Sequence, residues 1–414
     1  MSPCCVSHQG EGAKVSSNTA PGHKHCALFN SRPPLPFGST FIFLMELSVV
    51  IDIGNDWCKA GLGGKNYPTI AVPEVIGYQS FPENPGPSNP QTRKIVGFNN
   101  LALMKELPTE FPIVRGQVKN WEAMETVLTY AFESLGIKTE DHAILVTGFL
   151  SHRASHRMKL LEVMMETFNV PSLYIGELAE LCLYGSGILT GLVVHSGPGL
   201  TCITPVFNGK ADYTYADVFQ MAGIDISLLL HKALFNQEMD SNNLPQVLSM
   251  NSIKEMTCYV SRNPSQKGPA IDPIPNFSGT TVLPDGKIIR MTKELCTYPD
   301  IFFQTSQHDF PSLDLSSKII KSILNCKAEE RAILASHVVL SGGNTLFPGF
   351  PERLKWELNA TRPLWFPADV VSKPNRVCLS WVGASILSCL SNFESHCVTK
   401  MEYGESEALI ASLD

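Results

Sequence analysis

The sequence predicts an α/β protein made of two similar lobes. Short apolar strands lead into Gly-rich turns, and amphipathic helices follow them. One arrangement, a strand, a Gly turn and a returning strand, begins at residue 49 and again at residue 192. A repeated unit of this kind indicates an internal duplication, so we expect two lobes of related structure.

The composition is that of an ordinary globular protein. The chain has 414 residues, of which 44% are hydrophobic and 17% charged, and this excludes disorder throughout, collagen and a coiled-coil rod. The net charge of -7 argues against nucleic acid as the main partner, because a phosphate backbone requires clustered lysine and arginine. No stretch approaches the roughly 20 apolar residues of a membrane helix, so no membrane partner is expected. The 12 cysteines form no Cys-x-x-Cys pairs, which favours reduced thiols and a cytosolic or nuclear location.

Residues 1–44 differ from the rest of the chain. They contain five prolines and no sustained hydrophobic period, and their three basic residues against one acidic residue give a net charge of +2. Segments of this kind cannot bury enough apolar surface to fold. We therefore expect a disordered N-terminal extension, with Met45 as the commoner start of the protein.

The first half of the chain alternates strands and helices. A Pro-rich segment at residues 79–108 interrupts the pattern and predicts a loop or a small, weakly ordered subdomain outside the core. Asn120 predicts the start of a helix, because an asparagine side chain can accept a hydrogen bond from the first free backbone N–H groups. The other expected elements are a strand at Val49–Ile53, a returning strand within residues 59–73, a buried strand at residues 143–148 and a helix at residues 157–168.

The second half repeats the pattern with different spacing. Asn208 and Gly209 form a typical hairpin turn, and a second hairpin is expected around residues 283–287. The remaining expected elements are a strand and Gly turn at residues 192–200, a returning strand at Thr201–Phe207, a helix with Leu315, Ile319 and Ile323 on one face, a strand and Gly turn at residues 338–345, and a last helix with Ile386, Leu387 and Leu390.

The Gly turns that follow strands are candidate phosphate sites, because their backbone N–H groups are exposed. One such turn is a weak indication, but three in one chain, two of them in duplicated hairpins, strengthen it. Asp52 at the end of the first strand could serve a hydrated Mg²⁺ ion, which binds through few carboxylates and several waters. The alternative interpretation of Asp52 is a turn aspartate without a ligand.

Several strings of residues resemble the actin family, in its order and spacing, over residues 46–405. They are Cys58-Lys59-Ala60-Gly61, the segment from Pro112 to Trp121, Glu166-Thr167-Phe168-Asn169, Leu183-Tyr184 with Ser186-Gly187, Ile253-Lys254-Glu255 with Cys258-Tyr259-Val260, Leu283-Pro284-Asp285-Gly286, Leu340-Ser341-Gly342-Gly343, and Trp381 with Ser385-Ile386-Leu387. The resemblance implies an actin-type fold, in which two α/β lobes surround a deep cleft that holds ATP and a divalent cation. It implies a first lobe at residues 45–185 and 379–414 and a second lobe at residues 186–378. The divergence is large and is similar to that of germline-type members of the family.

The resemblance also implies a set of nucleotide-binding residues. Lys254 and Glu255 match the pair beside the ribose and base, and Phe347 keeps an aromatic face where the family has tyrosine. Asp52 would in addition support the metal ion. The other matching positions are Asp52, Gly54 and Lys59 in the first phosphate loop, Gly223 in the cleft, and Gly342 and Gly343 in the adenosine loop.

Four departures from the family pattern affect catalysis. Leu178 replaces the glutamine that orients the attacking water, and His195 replaces the aspartate that supports the metal. Pro198 deletes a backbone donor to phosphate, since proline has no N–H. Asp56 replaces a glycine and places a carboxylate near the phosphates, where like charges about 4 Å apart repel by roughly 4 kcal/mol at a dielectric near 20. We therefore expect no meaningful ATPase activity, and weak binding of ATP or ADP with Mg²⁺ at most.

The contacts that the family uses with other proteins are also altered. The Pro-rich residues 79–108 and the polar loop at residues 306–310 lack the apolar character of polymer contacts, which makes autonomous filaments doubtful. Ile386, Leu387 and Leu390 match the apolar side of the family's partner cleft, where an amphipathic helix could bind. Core packing is the alternative interpretation of these three residues.

Three functions are compatible with these patterns. The first is a non-hydrolysing structural protein of the cytoskeleton, in the cytoplasm, with partners among actin-cytoskeleton proteins or actin-binding helices. The second is a polymerising actin-type ATPase, which Leu178, His195 and Pro198 disfavour. The third is a nuclear adaptor subunit, which the sequence does not separate from the first. A sugar-kinase-like relative ranks last, because it would lack the strings given above.

Overall fold

The computed structural model of the protein describes residues 47–80, 92–148, 154–261, 279–283, 286–303, 312–360 and 367–405. Several expectations fall outside these ranges. They are the N-terminal extension at residues 1–44, most prolines of the Pro-rich segment at residues 81–91, the turn residues Pro284 and Asp285, and the polar loop at residues 306–310.

The strands are short, and the central strands of the two large sheets are strongly apolar. In chain order, the strands of the described residues up to residue 148 are β1 (Val49–Ile53), β2 (Trp57–Leu62), β3 (Ile70–Pro73), β4 (Ile76–Ser80), β5 (Thr92–Ile95), β6 (Thr109–Glu110), β7 (Ile113–Val114), β8 (Gln117–Val118) and β9 (Ile144–Gly148). The later strands are β10 (Ser172–Glu177), β11 (Gly191–Ser196), β12 (Thr201–Phe207), β13 (Lys210–Ala211), β14 (Asp217–Phe219), β15 (Thr280–Val282), β16 (Ile288–Arg290), β17 (Val338–Ser341), β18 (Val370–Val371) and β19 (Val398–Thr399).

The helices lie between the strands and after them. In chain order, the α-helices of the described residues are α1 (Leu101–Met104), α2 (Trp121–Leu135), α3 (Ala154–Glu162), α4 (Leu178–Ser186), α5 (Gly223–Phe235), α6 (Leu244–Thr257), α7 (Lys293–Cys296), α8 (Leu315–Asn325), α9 (Ala328–Ser336), α10 (Phe350–Ala360), α11 (Leu379–Leu387) and α12 (Lys400–Glu405). Short 3₁₀ turns lie at Phe98–Asn100, Thr139–Asp141, Tyr213–Tyr215, Tyr298–Phe302, Gly343–Leu346, Arg376–Cys378 and Phe393–His396, and one π-helical turn lies at Val163–Thr167. No helix in the described ranges is both long and apolar enough to cross a membrane.

The first sheet is built around β1. Within the described residues it has six strands in the order β19-β10-β9-β1-β2-β3. β1 pairs in parallel with β9 and antiparallel with β2, and all five of its residues are buried. Strands covered on both faces are expected to be continuously apolar, as the run Val49–Ile53 nearly is.

The second sheet repeats this arrangement around β11. Within the described residues its order is β13-β12-β11-β17-β18, and β14 also pairs with β12. β11 pairs antiparallel with β12 and in parallel with β17, as β1 does with β2 and β9. Two mixed sheets with the same local connection confirm the predicted α/β class and the internal duplication. The lobe boundaries at residues 185/186 and 378/379 stay a prediction.

The two helices α4 and α11 lie between the sheets. Leu181 and Trp381 pack with Val50 of the first sheet, whereas Leu178 and Leu379 pack with strands of the second sheet. The helices approach very closely, because a methyl group added to Gly383 would lie 1.8 Å from the Leu181 carbonyl oxygen. This pair of helices therefore joins the two cores through dense packing rather than through a linker.

Helix α2 begins as predicted. The Asn120 side chain accepts a hydrogen bond from the Ala123 N–H at 3.1 Å, and Gly136 ends the helix in the left-handed conformation at φ 67°. The helix predicted at residues 157–168 begins earlier, at Ala154, and its last part is the π-helical turn. The buried face of α2 packs on the first sheet.

The described part of residues 79–108 is more ordered than expected. Within the described residues, β4, β5 and β6 form a three-stranded sheet, and α1 packs beside it. Met104 is fully buried and packs with Val75, Ile95 and Leu244. Residues 92–108 therefore belong to a small subdomain, one of the two expected alternatives, and the expectation of a loop is wrong for them. Their apolar residues pack with Val75 and Leu244 in a small core.

Candidate functional site

The three Gly turns converge at one place. The first turn comprises residues 54–56 between β1 and β2, the second residues 197–200 between β11 and β12, and the third residues 342–345 after β17. The parallel pairing of β11 and β17 places the second and third turns side by side. Asn344 Nδ2 donates hydrogen bonds to the Gly197 carbonyl at 2.6 Å and to Ser196 Oγ at 3.0 Å, so the two turns are tied together.

The second turn also lies against the N-terminus of α5. The Gly223 N–H donates to the Gly197 carbonyl at 3.1 Å, and the Ile224 N–H donates to the Pro198 carbonyl at 2.9 Å. A helix N-terminus can bind an anion through such free N–H groups. Here these two donors are used by the protein itself.

Asp52 and Lys59 lie opposite each other on β1 and β2. Lys59 Nζ is 3.2 Å from Asp52 Oδ2, and Ser380 Oγ donates to the same oxygen at 3.1 Å. Asp52 is buried. Burial lowers the pKa of Lys59, but the charge and hydrogen bond of Asp52 together outweigh this effect and raise the pKa overall. Asp52 is therefore a buried ion-pair partner rather than a turn residue.

His195 is a neutral, hydrogen-bonded histidine of β11. Its Nδ1 lies 3.2 Å from Ser341 Oγ, which also accepts a hydrogen bond from Cys182 Sγ at 3.2 Å. Burial lowers the pKa of His195 to about 4, although the nearby charge of Asp52 acts in the opposite direction. The described residues contain no group of three or more histidine, cysteine, aspartate or glutamate side chains that could hold a metal ion.

Leu178 is a core residue at the start of α4. Its side chain is only 4% exposed and belongs to a cluster with Cys182, Val193 and Leu379. The neighbouring carboxylates are engaged elsewhere. Glu177 accepts a hydrogen bond from Arg157, and Glu180 accepts one from the Ala211 N–H at 3.0 Å.

Lys254 lies in the last turn of α6, and its ammonium group reaches the start of α5, where it donates hydrogen bonds to protein acceptors. Its Nζ donates to the Gly223 carbonyl at 3.0 Å, to Ser227 Oγ at 3.0 Å and to Asn251 Oδ1 at 2.9 Å. Burial lowers the pKa of Lys254, and the negative charge of Asp56 partly offsets this. Asp56 itself keeps some solvent exposure, and desolvation raises its pKa against the influence of Lys254 and Lys59.

The remaining predicted nucleotide residues are not all brought to this place. Phe347 is 7% exposed and packs in the core of the second sheet, and Glu255 is exposed next to the buried Lys254. Gly54 lies in a tight turn, because an added methyl group would lie 2.7 Å from the Trp57 carbonyl oxygen. Gly342 lies against the end of β11, because an added methyl group would lie 2.3 Å from the Ser196 carbonyl oxygen. Gly343, by contrast, has open space around its Cα.

The residues of the expected partner surface differ in exposure. Ile386 is 49% exposed and Leu390 is 50% exposed, whereas Leu387 is partly buried against the cluster around Trp381. Leu390 lies just beyond the end of α11. Two of the three side chains therefore present apolar surface to solvent.

Sequence reasoning missed several side chains of this region. Asn344 follows two glycines of a turn that was recognised, but its contact with the second turn depends on how the strands pair. Arg115 and Gly116 occupy the two central positions of a hairpin turn, where Asn-Gly is common. The glycine could therefore have indicated this turn in the sequence. Asn55 and Asp225 carried no signal in the sequence, because their partners are far away along the chain.

The protein has two mixed sheets with the same connections, which packed helices join and whose Gly turns converge. These features define a duplicated, two-lobed α/β protein. The sequence model of the actin family matches residues 45–412, and the chain therefore belongs to the actin family. Human actin-like protein 8 is 32% identical to the chain over 364 residues, which cover 86% of this chain and 98% of the human protein. The predicted family and fold are thus confirmed.

Proposed function

We propose that this protein is a structural, actin-like protein of the cytoskeleton that does not hydrolyse ATP and acts through contacts with other proteins. The observation that carries the proposal is the burial of Leu178 in an apolar cluster. The resemblance places the glutamine that orients the attacking water at this position. A leucine side chain can neither orient nor activate a water molecule, and hydrolysis needs both a positioned water and stabilisation of developing charge.

The phosphate side of the cleft supports the same proposal. His195 is neutral, so it does not supply the negative charge that supports a metal ion in the family. Pro198 offers no N–H in the second turn, and its carbonyl is already bonded to Ile224. Each missing charge-assisted hydrogen bond to phosphate weakens binding by roughly 1.5–3 kcal/mol. Asp56 adds a carboxyl group beside the first turn.

The groups that could still bind a nucleotide have protein partners. Lys254 donates to three protein oxygens, and Asn344 donates to the second turn. A nucleotide would have to displace these contacts and would gain only the difference. These residues therefore do not fit a magnesium triphosphate well. We propose that ATP or ADP binds weakly. Asp52 would then be the acidic residue that this chain shares with the family and that supports the metal ion.

Partner binding through exposed apolar side chains is the second part of the proposal. Ile386 and Leu390 expose half of their surface at the end of α11. An amphipathic helix could cover them, as in other helix-in-groove contacts. We propose protein partners from the actin cytoskeleton and a cytoplasmic location, with the nuclear adaptor as the alternative. Immunofluorescence with cytoskeletal and nuclear markers distinguishes the two locations.

Phosphate release by the purified full-length protein in Mg²⁺-ATP tests the first part. We expect no release above the buffer background, with a conventional actin measured in parallel as the positive control. Turnover at the rate of that actin would refute the proposal.

Nucleotide binding by a partly reverted variant tests which residues weaken the affinity for Mg²⁺-ATP. We expect Asp56→Gly, His195→Asp and Pro198→Asp together to raise the affinity for Mg²⁺-ATP by more than about tenfold, from the removed repulsion and the restored donor. Leu178 stays unchanged, because it packs in the core. Asp141→Asn, at an exposed acidic residue, is the charge control. No gain in affinity would mean that these three residues are not what weakens binding.

A further inference from the structure

The first and second turns touch each other through protein atoms. Asn55 Oδ1 accepts a hydrogen bond from the Gly116 N–H at 2.9 Å. A methyl group added to Gly199 would lie 2.4 Å from the same Asn55 oxygen and 3.2 Å from the Arg115 Cα. Only a glycine therefore allows the second turn to approach Asn55 and the β7–β8 turn this closely.

Arg115 is held in an unusual backbone conformation. It has φ 51° and Gly116 has φ 70°, so both central residues of the two-residue turn between β7 and β8 are left-handed. Such turns favour asparagine or glycine, and an arginine in this conformation is strained. A strained residue persists where its surroundings hold it in place, and it is a reason to look for a function.

The Arg115 side chain reaches α5 of the second sheet's core. Its Nη1 and Nη2 lie 2.7 Å from Asp225 Oδ2 and Oδ1 respectively, and Nη1 also donates to the Gln220 carbonyl. Asp225 Oδ2 accepts a further hydrogen bond from the Ala222 N–H at 2.7 Å. The two contacts make the ion pair bidentate. Both side chains are only 27% exposed, so the pair is largely shielded from water.

These contacts connect the two cores. Ile113 and Val118, which flank the Arg115 turn, pack in the core of the first sheet. Ile226 and Leu230 of α5 pack in the core of the second sheet. The Arg115–Asp225 pair and the contact of Asn55 with Gly199 therefore connect elements of the first sheet's core to elements of the second sheet's core.

We propose that Asn55, Arg115, Gly199 and Asp225 form a clasp that holds the turns of the two sheets together without a nucleotide. The clasp uses protein donors and acceptors in the place where a bound phosphate would otherwise join the turns. It gives partners a surface whose shape does not depend on ATP. The clasp does not rest on the loss of hydrolysis, since a protein could have both a clasp and a slow ATPase.

Hydrogen exchange by mass spectrometry on the full-length protein tests the clasp. We expect peptides covering residues 111–118 and 220–226 to be equally protected with and without Mg²⁺-ATP. Arg115→Ala should raise exchange in both peptides by roughly tenfold, the usual effect of losing hydrogen bonds to a charged group. Arg115→Lys, which keeps the charge but loses the bidentate geometry, should have an intermediate effect.

Gly199→Ala tests whether the exchange in Arg115→Ala rises because the clasp opens or only because the Arg115 charge is lost. This variant keeps both charged residues but forces the turns apart, so it should raise exchange in the same two peptides. Lys355→Gln removes an exposed ion pair with Asp369 and is the control, which should leave both peptides unchanged. Protection that requires Mg²⁺-ATP in the unmodified protein, or unchanged exchange at residues 220–226 in both Arg115→Ala and Gly199→Ala, would overturn the clasp. ATP turnover with protected turns would instead overturn only the proposed function.

Discussion

A buried glutamate beside the first turn makes a specific prediction about stability. Glu74 follows β3 and is 1% exposed, and neither of its carboxylate oxygens has a hydrogen-bond partner among the described residues. Desolvation raises the pKa of Glu74 well above its ordinary value. The positive charge of Lys59 opposes this effect, and the charge of Asp56 adds to it. Glu74 therefore keeps its proton to a higher pH in the folded protein than in the unfolded chain.

The direction of the pH dependence follows from where the proton is held. Above about pH 4.3 the unfolded chain releases the Glu74 proton, whereas the folded protein keeps it until the pH reaches the raised pKa. Between these two values, the folded protein loses about 1.4 kcal/mol of stability for each pH unit. Above the raised pKa the loss is constant.

The substitution Glu74→Gln removes this titration. Glutamine has the shape of the protonated acid and stays neutral, so the variant should be more stable than the unmodified protein. The difference should be close to zero near pH 4 and should grow by up to about 1.4 kcal/mol per pH unit through the window.

Urea unfolding at several values from about pH 5 to about pH 8 measures the difference between the two proteins at each pH. Taking this difference cancels the contributions of Asp56 and other groups that titrate in both proteins. Glu133→Gln, at an exposed glutamate of α2, is the control and should show a difference that does not change with pH. A Glu74→Gln difference as flat as that of the control would refute the raised pKa of Glu74.

Two further predictions concern apolar side chains. Leu178→Gln should destabilise the protein by about 3 kcal/mol, because it removes a buried apolar side chain and buries an amide in its place. Thermal unfolding measures this change, and an unchanged midpoint would contradict the core position of Leu178. Ile386→Glu with Leu390→Glu should weaken binding of an amphipathic helical peptide from an actin-binding protein by tenfold or more without changing stability, as measured by fluorescence polarisation. Ile333→Glu, at another half-exposed apolar residue, is the control, and equal binding by both variants would exclude the proposed surface.

Two polar side chains beside the Gly turns have partners within the protein. Lys254 and Asn344 keep the donors that a ligand would need, but each donates to a protein oxygen nearby. Hydrogen bonds within the protein need no ligand to be ordered, so they cost less entropy than the same bonds to a bound nucleotide. This arrangement favours one fixed structure over a ligand-dependent one.

Local patterns in the sequence predicted the main elements and their repetition. The run Val49–Ile53 is a strand because it is apolar and short, and Asn120 starts a helix because its side chain caps free N–H groups. The turns after Ile53, Ser196 and Ser341 could be predicted from the sequence, because turn formation depends mainly on the residues within the turn. Local chemistry therefore sufficed for the strand-turn-strand units and for the family they belong to.

The contacts of the side chains around the Gly turns depend on long-range packing. Arg115 and Asp225 are 110 residues apart in the chain, and nothing local indicates that they meet. Phe347 and Glu74 are buried by elements that come from other parts of the chain. The sequence therefore could not show that Phe347 packs in a core, or that the Glu74 carboxylate has no hydrogen-bond partner among the described residues. Long-range packing sets which polar groups remain available, because a donor or acceptor is free for a ligand only when no neighbouring element uses it.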